Sequence, residues 1–197
     1  DVGLHKDVVT IHRLNQYFGL DWDAVARHYD ASLASDRGTG PSIVISCVDS
    51  ARSRSDLHRN LFQRGSRATY WLDLGNTESG AQVVLGQPKP YPLPELQEWG
   101  RLPCVTELFP QLLEEQQEDD APSCSVRISL QSQGLFVNDM AARWASQLLY
   151  ELFQGPIRQH GVLVNLSSKR SGPIDVNPAV WKRFGIRRRK PRGLQAE

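Results

Sequence analysis

The stretch "IVISCVDSARSR" (residues 43–54) decides how the rest of the chain is read. Ile43, Val44 and Ile45 form a short β-branched run, bounded upstream by the turn-forming "DRGTGP" (36–41). A run of this length and chemistry predicts a strand buried on both faces, as in a parallel sheet covered by helices. The run gives way to a lone acid, Asp49, with Arg52 and Arg54 close behind. Leu57 and Leu61, four positions apart, predict a helix directly afterwards. In α/β folds, ligands bind in the crevice beyond the carboxyl ends of such strands. Two readings of Asp49 follow. Its carboxylate holds magnesium on a nucleotide's phosphates while nearby arginines neutralise the same phosphates, or Asp49 or Ser50 simply caps the helix.

Working outward, residues 5–18 predict an amphipathic helix with Val8, Ile11, Leu14 and Phe18 on one face and Gly19 as its stop. "LDWDAVARHY" (20–29) satisfies both periods: Trp22, Ala24 and Ala26 alternate like a strand, and Trp22, Val25 and Tyr29 repeat like a helix. Strands are expected at "ATYWLDLG" (68–75) and "AQVVLG" (81–86), separated by a Gly-punctuated loop. Six prolines between 88 and 110 mark a long irregular connection. A helix is expected from about 135 to 153, aligning Val137, Met140, Trp144, Leu148 and Leu152, with Gln154-Gly155-Pro156 ending it. "GVLVNL" (161–166) and "GPIDV" (172–176) read as a hairpin, and the chain past Phe184 as a flexible end.

The alternation predicts an α/β domain, a mostly parallel sheet with flanking helices and a C-terminal β-hairpin, over residues 1–185, followed by a basic flexible tail over 186–197. No Gly-rich phosphate turn, neither GxGxxG nor a P-loop, precedes the first strand. A parallel sheet starting at Ile43 would also present an open apolar edge. The expectation is therefore that the N-terminal part of the fold is absent from this chain.

Composition limits the partners. The 23 basic and 22 acidic residues nearly cancel to a net charge of +1, which argues against whole-domain affinity for nucleic acid. "EEQQEDD" (114–120) and "RRRKPR" (187–192) read as solvated charge runs, the second also able to touch nucleic acid or an acidic partner. No stretch approaches the roughly 18 apolar residues of a membrane span, and "DVGLHKDVVT" (1–10) lacks the features of a secretion signal. Three widely spaced cysteines, Cys47, Cys104 and Cys124, fit a reducing cytoplasm better than a disulfide framework.

"GLHKDVVTIHRLN" (3–15) followed by "IVISCVDSARSR" resembles the ThiF/MoeB/HesA family, bacterial relatives of ubiquitin-activating enzymes, which carry a "vGxxK" helix and then a strand ending "DCTDNxxxR". The resemblance implies a Rossmann-like fold in which Lys6 contacts ATP phosphates, Asp49 engages magnesium–ATP and Arg54 accompanies it. Ser50 stands where the family has asparagine. A second segment, "SCSVRISLQSQGLFVNDMAARWASQLL" (123–149), is similar to the family's "CxxxGVxxPxxGxxxSxQAxEAIKLL", with Cys124 on the cysteine that links to a carrier and the Gly-Val and Pro absent. An activated thiolate there would be a nucleophile; the alternative is an unreactive loop cysteine. The family's zinc site needs two CxxC pairs. "PCVTELFP" (103–110) offers only Cys104, with Glu107 at the second position, so no zinc is expected and Cys104 reads as structural. Cys47 reads as a core residue.

The nearest branch in resemblance is the ThiF-like protein of PRTRC plasmid and genomic-island systems, through "RLNQYFGLDW" (13–22), "SLQSQGLFVNDMAARW" (129–144) and "HGVLVNLSSKRSGPIDVNPAVWKRFG" (160–185). It implies a strand over 20–29, a homodimer, and ATP-dependent adenylylation of the C-terminal carboxylate of a small ubiquitin-like or sulfur-carrier protein. Two other readings stay open: a catalytically idle nucleotide-binding or docking module, and a nicotinamide-dependent oxidoreductase of the same fold class. His58 and His160 read as surface or packing residues, and Trp71 and Trp144 as core.

Overall fold

A computed structural model describes residues 3–29, 43–89, 100–114 and 136–186. The chain divides into two compact units, Asp1–Asp30 and Ala31–Glu197.

In the first unit, helix α1 spans Lys6–Phe18. Gly19 ends it as expected, because its left-handed backbone (φ 65°) lets its N–H return to the Asn15 carbonyl. The Asn15 side chain then takes both backbone groups of Trp22, donating to its carbonyl at 2.9 Å and accepting from its N–H at 3.0 Å. Residues 20–29 form neither a strand nor a helix. The side-chain clamp occupies the backbone groups that a strand would have offered to a neighbour.

The second unit is an α/β arrangement built on a five-stranded open sheet in the order β1-β2-β3-β4-β5. The strands are β1 (Ile43–Ser46), β2 (Tyr70–Asn76), β3 (Gly80–Gly86), β4 (Gln159–Asn165) and β5 (Arg170–Asp175). Only β1 and β2 run parallel, Ile43 beside Tyr70 and Ser46 beside Asp73. The pairs β2–β3, β3–β4 and β4–β5 are antiparallel. The expectation of a mostly parallel sheet is thus not met among the described residues. A parallel crossover needs a dozen or more residues, and β1–β2, joined through α2 (Ala51–Phe62), has them. β3 and β4 pair antiparallel although residues 87–158 between them are long enough for either direction. β2 reaches β3 through residues 77–79, and β4 reaches β5 through 166–169, so both must be hairpins.

Strand alternation sends side chains to two covered faces. One face, with Leu72, Val83, Leu85, Val162 and Val164, packs against α4 (Val137–Gln154). The helix buries Val137, Ala141, Ala145 and Leu148, with Met140, Trp144 and Leu152 partly covered at the margin. Each fully buried aliphatic side chain of this kind contributes about 1.5–3 kcal/mol. The opposite face buries Trp71, Asp73 and Val84, and α2 supplies Leu57 and Leu61. Leu102, Cys104 and the one-turn helix α3 (Val105–Leu108) are buried as well, and Phe109 stacks edge-on against Phe184 beyond α5 (Pro178–Arg183). On β1 the chain alternates Val44 and Ser46 inward with Ile45 outward, and Ile45 remains 53% exposed.

Candidate functional site

The candidate site lies where β1 ends. Ser50, not Asp49, caps α2: its hydroxyl accepts the Ser53 N–H at 3.1 Å. The capping reading, in which Asp49 or Ser50 caps the helix, is met by Ser50. Asp49 is exposed in the turn three residues beyond the end of β1, and among the described residues its carboxylate makes no hydrogen bond or ion pair. A free hard-oxygen ligand at a strand end fits the way magnesium is held, by one or two carboxylates together with substrate phosphates.

Arg54 is placed differently from the expectation. It is buried, and its Nε donates to Asp73 Oδ1 at 3.3 Å while Nη2 donates to the Val48 carbonyl at 2.8 Å. The guanidinium is therefore committed inside the fold instead of standing open beside Asp49. Asp73 Oδ1 also accepts the Ser46 hydroxyl at 2.6 Å, and Ser46 in turn accepts the Trp71 indole N–H at 2.7 Å. The sheet register makes this possible by setting Ser46 directly beside Asp73. Asp73 Oδ2 is buried and has no hydrogen-bond partner among the described residues. Burial pushes the Asp73 carboxyl above its ordinary value, against the opposing pull of Arg54 and the Ser46 hydrogen bond.

Lys6 begins α1 in the first unit and is exposed. Cys124, the expected acceptor thiol, lies outside the described residues. Cys47 is not a core residue: β1 ends at Ser46 and Cys47 is exposed in the turn that follows. Partial burial and the Asp73 charge raise its thiol, so it is not activated as a thiolate.

Cys104 is fully buried, and Glu107 has a distinct task beside it. At the second position of the CxxC-like spacing, the Glu107 carboxylate accepts the Cys104 N–H at 2.9 Å and closes a capping box on α3. Arg101 grips the same carboxylate with two N–H groups, Nη1 at 2.6 Å, and its guanidinium carbon stands 5.4 Å from the Phe62 ring centroid. Burial and the Glu107 charge drive the Cys104 thiol well up, which makes it inert. His58 binds the Thr106 hydroxyl at 2.8 Å and stacks on Phe62.

His160 is wholly buried and has both nitrogens satisfied. Nδ1 meets the Leu85 carbonyl at 2.9 Å and Nε2 meets the Trp181 indole N–H at 2.8 Å. A carbonyl only accepts and an indole N–H only donates, so the ring is neutral with its proton on Nδ1. Among the described residues no three His, Cys, Asp or Glu side chains gather as a metal site. No described helix is long and apolar enough to cross a membrane. Sequence reasoning passed over Asp73 and Trp181. A signal for Asp73 was present, an acid in the middle of an otherwise apolar strand, where a buried charge requires a partner.

A scan against protein-family models gives no match to this chain, and a search of curated proteins finds none with significant similarity.

Proposed function

We propose that this chain belongs to an ATP-dependent adenylyltransferase that activates the C-terminal carboxylate of a small ubiquitin-like or sulfur-carrier protein. The observation that carries the reading is Asp49: an exposed carboxylate without a partner among the described residues, in the turn that follows a parallel strand and ahead of a helix capped by a different residue. In this reading the β1–α2–β2 unit belongs to a Rossmann-like sheet, and the protein is a cytoplasmic homodimer. Asp49 holds magnesium on the triphosphate, and the Cys124 thiol takes the acyl group from the acyl-adenylate as AMP leaves. Magnesium, when bound, supplies charge neutralisation at the phosphates; the chain's part is to place one carboxylate there and fix it. The carrier carboxylate adds to the α-phosphorus of ATP and pyrophosphate leaves. Incubation of the full-length protein with ATP, labelled pyrophosphate and its carrier tests this. Exchange abolished by Asp49→Asn is expected, and absence of exchange in the unaltered protein overturns it.

One observation favours a second reading, a catalytically idle nucleotide-binding or docking module: the Arg54 cation is already held by Asp73. Calorimetry showing tight ATP binding with no exchange or hydrolysis would select that reading.

A further inference from the structure

The commitment of Arg54 leaves a question about what its charge accomplishes. A buried ion pair is weak evidence for stability, since apolar side chains of similar volume generally do as well. What apolar side chains cannot do is bind the Val48 carbonyl, the group immediately before Asp49. The hydrogen bonds form a chain that ends on it. Trp71 donates to Ser46, Ser46 to Asp73 and Arg54 to Asp73, and the other arm of Arg54 donates to Val48. Residues from β1, β2 and α2 thus converge on one backbone carbonyl in the turn. The backbone makes room for them. A Cβ on Gly75 would fall 2.0 Å from the Gln82 amide nitrogen and 3.4 Å from Arg54 Nη2, so a side chain there would crowd the guanidinium's surroundings.

We propose that Asp73 and Arg54 are positioning residues that fix the Cys47–Asp49 turn and so aim the Asp49 carboxylate, and that neither touches the nucleotide. The proposal rests on the function proposed above for its nucleotide half, and on geometry alone for the turn. Arg54 is the fork that spans a carboxylate on β2 and a carbonyl on the turn; lysine, a point charge, cannot span both. Asp73 orients the fork and is itself oriented by Ser46.

The test uses the full-length chain with Asp73→Asn, Arg54→Lys and the double variant, each checked for fold by thermal melting. Two quantities are read: ATP affinity by calorimetry with and without magnesium, and backbone hydrogen exchange at residues 47–50. Either single change is expected to weaken ATP binding in magnesium by about 10- to 100-fold, as loss of a supporting shell around a metal ligand does. ATP affinity without magnesium should be unchanged, exchange at 47–50 should quicken, and the double variant should be no worse than the weaker single one. If Arg54→Lys weakens ATP while Asp73→Asn does not, Arg54 touches phosphate directly and the proposal fails. Unchanged exchange at 47–50 in both variants overturns it as well. If the unaltered chain binds no magnesium–ATP, the proposed function falls, and the exchange measurement decides the turn separately. Should Asp73→Asn lose its fold, Arg54→Lys, which keeps the charge on Asp73, carries both measurements.

Discussion

Acid should loosen this protein in part through one deeply buried imidazole. His160 is sealed between β4 and α5, and protonating Nε2 would set an N–H against the Trp181 N–H that already points at it. Burial holds the ring's pKa down, from the ordinary 6.5 to about 4, against a small upward pull from the Leu85 carbonyl and Asp175. As pH falls through the ordinary value, the unfolded chain takes up a proton that the folded chain refuses. The folded state therefore loses stability between those two values, and the loss from 6.5 to about 4 amounts to roughly 3 kcal/mol. Above the ordinary value both states are neutral at this site and the contribution is complete. The assay is urea unfolding of the protein and of His160→Gln from about pH 7 down to pH 4. A glutamine amide can donate to Leu85 and accept from Trp181 without titrating, so comparison of the two removes every other acid-sensitive group. The unaltered protein should lose about 3 kcal/mol relative to the variant across this window. Parallel stability curves would refute the reasoning, as would an imidazole proton NMR titration near the ordinary value.

Three further outcomes are expected. Gly86→Ala should destabilise by about 1–3 kcal/mol by overpacking, because its Cβ would land 2.4 Å from the Cys104 backbone and 2.6 Å from the sulfur; denaturant midpoints measure this. Leu148→Ala should cost about 2–5 kcal/mol, since Leu148 is buried between α4 and the sheet, and a smaller loss would mean the site collapses to fill the space. Glu107→Ala should cost about 1–3 kcal/mol by leaving the Cys104 N–H uncapped and Arg101 without its carboxylate; thermal melting and faster reaction of Cys104 with thiol reagents report it.

Much of this was legible in the residues, and the failures have physical causes. Helices α2 and α4 follow from the spacing of Leu57 and Leu148 with their neighbours, because one apolar stripe per helix is what packing demands; α1 forms where its spacing places it, but Val8 and Phe18 on its apolar face are exposed. Strand positions were equally readable, and the polar turn between 161–166 and 172–176 identifies the β4–β5 hairpin. The direction of β2 and β3 is not written in their composition: a run such as Val83–Leu85 is the same in a parallel or antiparallel sheet, and the short connection at 77–79 held the information. Cys47 reads as core because it directly follows the apolar run, yet the strand stops one residue earlier. The site divides similarly. Asp49 stands in the turn three residues past β1, and the role of Arg54 depends on Asp73, 19 positions along and adjacent only through the register of two strands. Side-chain pairing across a sheet is invisible until the register is known.

The order of strands along the sheet also bears on how the chain assembles. β2–β3 and β4–β5 are each closed by a few residues, and β1 joins β2 across a single helix, so these contacts cost little chain entropy to form. The seam between β3 and β4 is different. Residues 87–158 separate the two strands, yet Val83 must find Val162. Non-local pairings of that kind form late and slowly. The second unit should therefore assemble as two local pieces, and α4, which packs on β2, β3 and β4, closes the seam between them. Pulsed hydrogen exchange during refolding would show amide protection within each hairpin preceding protection across β3–β4.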